Sequence, residues 1–282
     1  MKYKDLKEQF DKRLEHLYAQ QESSEMFFVV LEQVESSTRM QFLEKQQTEV
    51  SADTQSNILD VLKELEQGKP IQYIFEEAYF YRLIFKVNAS VLIPRDETEE
   101  LVDLIVRKER KEGAIPKRVL DVGTGSGCIA LSIKKNLPWM AVSALDVSEE
   151  ALAVAKENAL RLNLSVDFIH ADILQYSTPT KYDIIVSNPP YVKENERADM
   201  HVNVLSYEPA TALFVSDQDP LIFYRTIADF ARLSLVEGGS LYFEINEYLG
   251  PEMVMLMEEK GFSEVRLIQD LQQKNRMLSC VL

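Results

Sequence analysis

Along residues 1 to about 70 the apolar positions recur three or four apart, as in Leu6, Phe10, Leu14 and Leu17 and then Phe27, Val30, Leu31 and Val34. That period fits amphipathic helices, and nothing in the stretch alternates as a strand would. Ser23, Ser24, Ser36, Ser37, Ser51 and Asp53 are candidate breaks and N-caps. The pattern predicts a small domain of about four helices over residues 1–75, with Gly68 and Pro70 of "EQGKPIQYI" stopping the last one.

The next stretch, "AYFYRLIFKVNASVLIP" (78–94), is rich in aromatic and β-branched residues. It predicts a β-hairpin with "VNAS" as its turn, joining two domains as a linker over 76–94. From residue 95 to 282 the pattern alternates. "RVLDV" (118–122), "AVSALDV" (141–147), "VDFIHADI" (166–173), "YDIIVSN" (182–188) and "GSLYFEI" (239–245) read as strands, separated by helical segments such as "GCIALSIKKNL", "SEEALAVAKENALRLN" and "DPLIFYRTIADFARLSL". An α/β domain follows, with a mostly parallel sheet and helices on both faces.

Composition narrows the function. No apolar run approaches the roughly 20 residues that span a bilayer, and "MKYKDLKEQFDKRLEHLY" has no signal-peptide core. Two cysteines, Cys128 and Cys280, make neither a disulfide framework nor a metal site. A cytoplasmic protein with no membrane association and no metal is expected. With 46 acidic and 31 basic residues the formal net charge is −15, the wrong sign for binding phosphates. The densest basic run, "VRKERKEGAIPKR" (106–118), mixes both signs and reads as a solvated helix end.

Two stretches carry chemistry. "LDVGTGSGCIAL" sets Gly123, Thr124, Gly125, Ser126 and Gly127 at the turn from a strand into a helix, where the backbone lets a ligand approach closely and the helix start offers free amides. Read as Gly125-x-Gly127-x-x-Ala130, with Asp146 about 20 residues on, it also fits a dinucleotide fingerprint. Asp121 ahead of the glycines suits a ligand with an amino group and a sulfonium better than a pyrophosphate. With "HADI" after the third strand and "SNPPY" after the fourth, S-adenosyl-L-methionine (AdoMet) becomes the expected cofactor. Asp146 is placed to bind its ribose, unless it is a helix cap that Ser148 could replace, and Asp172 with Ile173 to meet its adenine.

The second stretch is Asn188-Pro189-Pro190-Tyr191, at the end of a strand expected beside the first. A planar amine or amide nitrogen is a poor nucleophile because its lone pair is delocalised. The Asn188 side-chain oxygen and the Pro189 carbonyl could take both of its N–H bonds and aim the lone pair at a methyl donor. Pro190 stiffens the loop, and Tyr191 offers a flat face. The acceptor could be adenine, cytosine, or a glutamine or asparagine side chain.

The chain resembles the glutamine-N5 methyltransferases that modify peptide chain release factors. "GKPIQYI" (68–74), "VNASVLIPRDETEELVD" (87–103), "VLDVGTGSGCIAL" (119–131), "IIVSNPPYV" (184–192) and "YEPATALF" (207–214) occur in that family's order over nearly the whole chain. The resemblance implies a Rossmann-like class I methyltransferase domain, joined by the β-hairpin to a small all-helical domain that recognises substrate. It implies methylation of the glutamine in the Gly-Gly-Gln motif of class 1 release factors, as a cytoplasmic monomer that binds no nucleic acid directly. Gly123 to Gly127 and Asp146 would then bind AdoMet, and Asn188 would touch both cofactor and substrate. Pro189, Pro190 and Tyr191 would complete the glutamine pocket.

The sequence departs from the family at Asp96, where proline is usual. Glu76, Arg82, Asn246 and Gln272 stand where glycines are often seen. "RDETEE" reads either as a helix first turn capped by Asp96 or Thr98 or as a contact near the cofactor, and Glu208 either braces the Asn-Pro-Pro-Tyr loop or caps a turn. His16, His170 and His201 are scattered. The alternatives are a nucleic-acid N6-adenine or N4-cytosine methyltransferase, against which the acidity and the lack of a basic domain argue, and an AdoMet-binding docking module without transfer.

Overall fold

The computed structural model describes residues 1–282, apart from the side chains of Asp199 and Val202. The chain divides into two compact units, Met1–Glu76 with His201–Tyr207, and Glu77–Met200 with Glu208–Leu282.

The first unit holds α1 (Tyr3–Leu14), α2 (Gln20–Glu35), α3 (Arg39–Lys45), α4 (Ala52–Glu66) and α5 (Ile71–Phe75). Leu6, Phe10, Leu14, Phe27, Val30 and Leu31, spaced for one helix face, are all fully buried. Their centre is aromatic, with Phe10 and Phe42 each meeting Phe27 edge to face at 5.4 and 5.6 Å. Ser51 caps α4, accepting from the Thr54 amide at 3.1 Å. Ser23 and Ser24 instead lie inside α2, where Ser23 is buried and donates to the Gln20 carbonyl, and Thr38 caps α3. Gly68, at φ +80°, ends α4 as expected, but a fifth helix follows Pro70.

The second unit begins with the hairpin β1 (Glu77–Phe80) and β2 (Leu83–Lys86). Its turn is Tyr81-Arg82, with φ of 47° and 64°, and not "VNAS". Positive φ at both central residues matches the twist of a two-residue hairpin. "VNAS" turns after β2 instead, where the Asn88 side chain accepts from the Ser90 amide at 2.9 Å. Phe80 and Phe85 are buried in one cluster with Leu101, Val102 and Ile105, so the hairpin packs into this unit's own core.

Next come α6 (Asp96–Glu112), β3 (Arg118–Val122), α7 (Cys128–Asn136), β4 (Ala141–Asp146), α8 (Glu149–Leu162), β5 (Asp167–His170) and β6 (Tyr182–Ser187). The short β7 (Val192–Lys193), α9 (Val202–Tyr207), α10 (Ala210–Leu213) and β8 (Phe214–Val215) lead to α11 (Ile222–Ser234), β9 (Leu235–Glu244), α12 (Gly250–Glu259), β10 (Ser263–Gln269) and β11 (Asn275–Val281); of these, α9 belongs to the first unit. The seven-stranded sheet runs β10-β11-β9-β6-β3-β4-β5, and β9, β6, β3, β4 and β5 are mutually parallel. The antiparallel pair β10–β11, with the α12 that precedes it, extends the sheet beyond the alternation read from sequence. The chain leaves β3 in one direction to β4 and β5 and returns on its other side as β6. That is the switch point at which open α/β sheets place ligands.

Candidate active site

Parallel pairing aligns the carboxyl ends of three strands: Val122 of β3 lies opposite Leu145 of β4 and Ser187 of β6. The glycine loop leaves β3 there and is stitched to β4, with the Gly123 and Thr124 amides donating to the Leu145 carbonyl at 2.8 and 3.0 Å. Gly127 then caps α7 at φ +81°. A Cβ on Gly127 would come within 3.0 Å of Leu131 and 3.2 Å of Ala155, so the helix packs this closely only on glycine.

Asp121 and Asp146 hold this loop in different ways. Asp121 is fully buried, and its Oδ2 accepts from the Thr124 hydroxyl at 2.6 Å and the Ala130 amide at 3.2 Å. Its Oδ1 has no partner among the described residues. Burial pushes this carboxyl up to about 7, against the pull of those two bonds and with the nearby charge of Asp146 adding to the rise. Asp146, at the end of β4, accepts from the Gly125 amide at 2.8 Å and the Ser148 amide at 2.9 Å. Ser148 is the N-cap of α8, accepting from Ala151, which leaves Asp146 out of the cap.

These elements wall a cleft of about 1080 Å3, including the space open to solvent. Gly123, Thr124, Gly125, Ser126, Asp146, Asp172, Ile173, Asn188, Pro189 and Pro190 all line it. Asp121, Gly127 and Tyr191 do not stand in its wall. Asp172 also closes a tight turn, accepting from the Leu174 amide at 2.9 Å.

The Asn-Pro-Pro-Tyr loop leaves β6 after Ser187, whose hydroxyl donates to the Val122 carbonyl at 2.7 Å. Asn188 Nδ2 donates to Thr98 Oγ1 at 3.2 Å, and the Thr98 hydroxyl donates to Glu244 Oε2 at 2.6 Å. At the other end of the loop the Tyr191 hydroxyl donates to Glu244 Oε1 at 3.2 Å. The Tyr191 ring packs against the buried cluster that contains Tyr224 and Phe243, and burial raises its hydroxyl well above the ordinary phenol value. Its hydroxyl anchors the loop to β9. Glu244, only 1% exposed, is pushed up by burial and pulled back by Thr98, Arg276 and Tyr191.

The sequence left Thr98 as either a helix cap or a contact near the cofactor, and Glu244 reads there only as a strand residue. The N-cap position of α6 is Arg95, without a side-chain bond, and Thr98, nearly buried, lines the cleft beside Asn188. The signal for Glu244 was one carboxylate between Phe243 and Ile245 in an otherwise apolar strand. Glu208 is buried and braces the segment before α6, not the Asn-Pro-Pro-Tyr loop: it accepts from the Ile93 amide at 3.1 Å and pairs with Arg95 at 2.6 Å. Among the described residues no group of three or more His, Cys, Asp or Glu is placed to hold a metal ion, and no helix is long and apolar enough to cross a membrane.

The chain is 42% identical to a release factor glutamine methyltransferase of Flavobacterium psychrophilum, over 99% of this chain and 98% of that one. The chain belongs to the release factor glutamine methyltransferase family. A second member, from Bacteroides thetaiotaomicron, is 49% identical over 82% of each chain. A family model described as a methyltransferase small domain matches residues 98–215, the span from Thr98 through both loops. A crystal structure of a methyltransferase from Pyrococcus furiosus superposes with a TM-score of 0.51 at 19% identity, over 70% of this chain and 87% of that one. That likeness bears on the fold, which in this release factor glutamine methyltransferase family member is the Rossmann-like class I methyltransferase fold.

Proposed function

We propose that the chain methylates the side-chain N5 of the glutamine in the Gly-Gly-Gln motif of class 1 release factors, with AdoMet as donor, in the cytoplasm. The observation that carries this reading is the meeting of Asn188, Pro189 and Pro190 with the glycine loop in one cleft, in a chain of this family.

The residues present fit AdoMet. A Cβ at Gly123 or Gly125 would meet nothing within 4 Å, so the loop backbone faces open space. Asp146 has both carboxylate oxygens fixed by backbone amides and keeps lone pairs for ribose hydroxyls. Ala171, Asp172 and Ile173 form a largely apolar wall suited to adenine. Asp121 lies beneath the loop and fixes Thr124, a supporting role distinct from direct contact with the cofactor. When bound, AdoMet supplies a methyl group on a sulfonium, an electrophile that becomes a neutral thioether on losing it.

Asn188 Oδ1 and the Pro189 carbonyl would accept the two N–H bonds of the glutamine amide. They would turn its nitrogen out of conjugation and aim its lone pair. The nitrogen, once it had taken the methyl group, would be acidic, and its surplus proton would pass to solvent while Asn188 Oδ1 and the Pro189 carbonyl kept it oriented. Pro190 contributes no N–H to compete for the acceptors.

The test is to incubate the protein with labelled AdoMet and a class 1 release factor and, separately, duplex DNA, and to locate the label by mass spectrometry. Label on the Gly-Gly-Gln glutamine is expected. Label on adenine or cytosine, or none on the release factor, would overturn the reading.

A further inference from the structure

An asparagine side chain has a donor end and an acceptor end, and only one orientation of Asn188 offers the cleft the acceptor that a glutamine N–H needs. The structure contains a device that fixes this orientation. Glu244 lies at the end of β9, next to β6, with Phe243 opposite Ser187. In its ionised form Glu244 can only accept, and the hydroxyls of Thr98, at Oε2, and Tyr191, at Oε1, then both donate to it. With its proton committed to Glu244, Thr98 Oγ1 can only accept from Asn188. The Nδ2 end is therefore held at Thr98, and Oδ1 is left for the cleft.

We infer that Glu244 and Thr98 are positioning residues, a two-step relay of hydrogen-bond polarity that orients the Asn188 amide for the acceptor nitrogen. The inference rests on the proposed amide methylation. Thr98 is 3% exposed and Glu244 1%, so water does not scramble the relay. The carboxylate also ties both ends of the loop at once, Asn188 through Thr98 and Tyr191 directly. In Glu244→Gln the new amide could donate to Thr98, freeing the Thr98 hydroxyl to donate to Asn188 Oδ1 and so turning that oxygen away from the cleft.

The test compares Glu244→Gln, Thr98→Val and Thr98→Ser in the full chain, with AdoMet and a class 1 release factor. The expected result for the first two is a kcat lower by on the order of 10- to 100-fold, as for misplacement of a reacting group. AdoMet affinity should stay within about threefold, because Glu244 lies outside the cleft and Thr98 meets it beside Asn188, away from the glycine loop's own supports. Thr98→Ser, which keeps the hydroxyl, should recover most of the rate. Turnover near wild type in Thr98→Val, a Thr98→Ser as slow as Thr98→Val, or a parallel loss of AdoMet binding would each overturn the relay. If Glu244→Gln does not fold, the valine and serine pair decides.

A second readout does not depend on the substrate. In protein labelled with 15N-asparagine, the Asn188 side-chain NH2 signals, assigned by their loss in Asn188→Ala, should shift in Thr98→Val and hold in Thr98→Ser. Unmoved signals would overturn the relay. A wild-type enzyme that labels no glutamine would overturn the proposed function, whatever these signals do.

Discussion

The two loops at the carboxyl edge of the sheet are held by opposite means. The glycine loop is fixed by partners close in sequence: Asp121 reaches Thr124, 3 residues on, and Ala130, 9 on, while Asp146 reaches Gly125 across 21. The Asn-Pro-Pro-Tyr loop is fixed from afar, by Thr98, 90 residues before Asn188, and by Glu244, 53 after Tyr191. In the proposed function the first is a binding turn that carries its own supports. The second is then a reactive turn whose geometry is set from across the domain, so substitutions should separate cofactor binding from turnover.

The largest expected effect is on the first loop. Gly127→Ala combines a left-handed φ of +81° with a Cβ 3.0 Å from Leu131. It should cost about 2–4 kcal/mol, the sum of αL strain and overpacking, read by chemical denaturation. A loss under about 1 kcal/mol would mean that α7 is free to shift. Next, Asp146→Asn should weaken AdoMet binding by roughly 10- to 100-fold, the value of hydrogen bonds to a charged group, with a smaller change in kcat at saturation. A variant that bound AdoMet normally would remove Asp146 from the ribose site.

Asp121 sharpens the comparison through pH. Its carboxyl is raised from 3.8 to about 7 in the folded protein, so the native state holds a proton that the unfolded chain has released. Stability from this group is therefore full below about pH 4 and is lost as pH rises towards about 7. Melting temperatures across that range should show a shallower decline in Asp121→Asn than in wild type; equal slopes would place the titration elsewhere. The smallest effect lies outside both loops. Arg82 occupies φ 64° in the hairpin turn, and Arg82→Gly should raise stability by up to about 1 kcal/mol without altering AdoMet affinity. A destabilised variant would show that the arginine side chain holds the turn.

The same contrast explains what the sequence revealed. The five parallel strands and the glycine turn were legible because apolar runs, glycines and acids lie within one β-turn-α unit, where periodicity and spacing are strong signals. The hairpin turn was misplaced because "VNAS" has turn chemistry, whereas Tyr81-Arg82, with both residues at positive φ, does not advertise itself. Of the other positions at which the resemblance implies glycine, Glu76 sits at φ 56°, whereas Asn246 carries φ −62° and has no such strain. The hairpin β10–β11 was missed because Ser263, Glu264 and Gln269 are exposed on an edge strand with two register shifts, which blurs alternation. Glu244 was passed over, and Thr98 left between a helix cap and a contact near the cofactor, because the bonds that link them to Asn188 form only when α6, β6 and β9 come together.

The division between a loop that holds the cofactor and one that acts on the acceptor is tested most directly by Asn188→Ala, with AdoMet dissociation constant and kcat towards a class 1 release factor measured on one preparation. The expected result is a dissociation constant within a few-fold of wild type and a kcat lower by on the order of 100-fold or more, as when an oriented polar group at the reacting centre is removed. A kcat close to wild type, or a loss confined to AdoMet binding, would contradict the account.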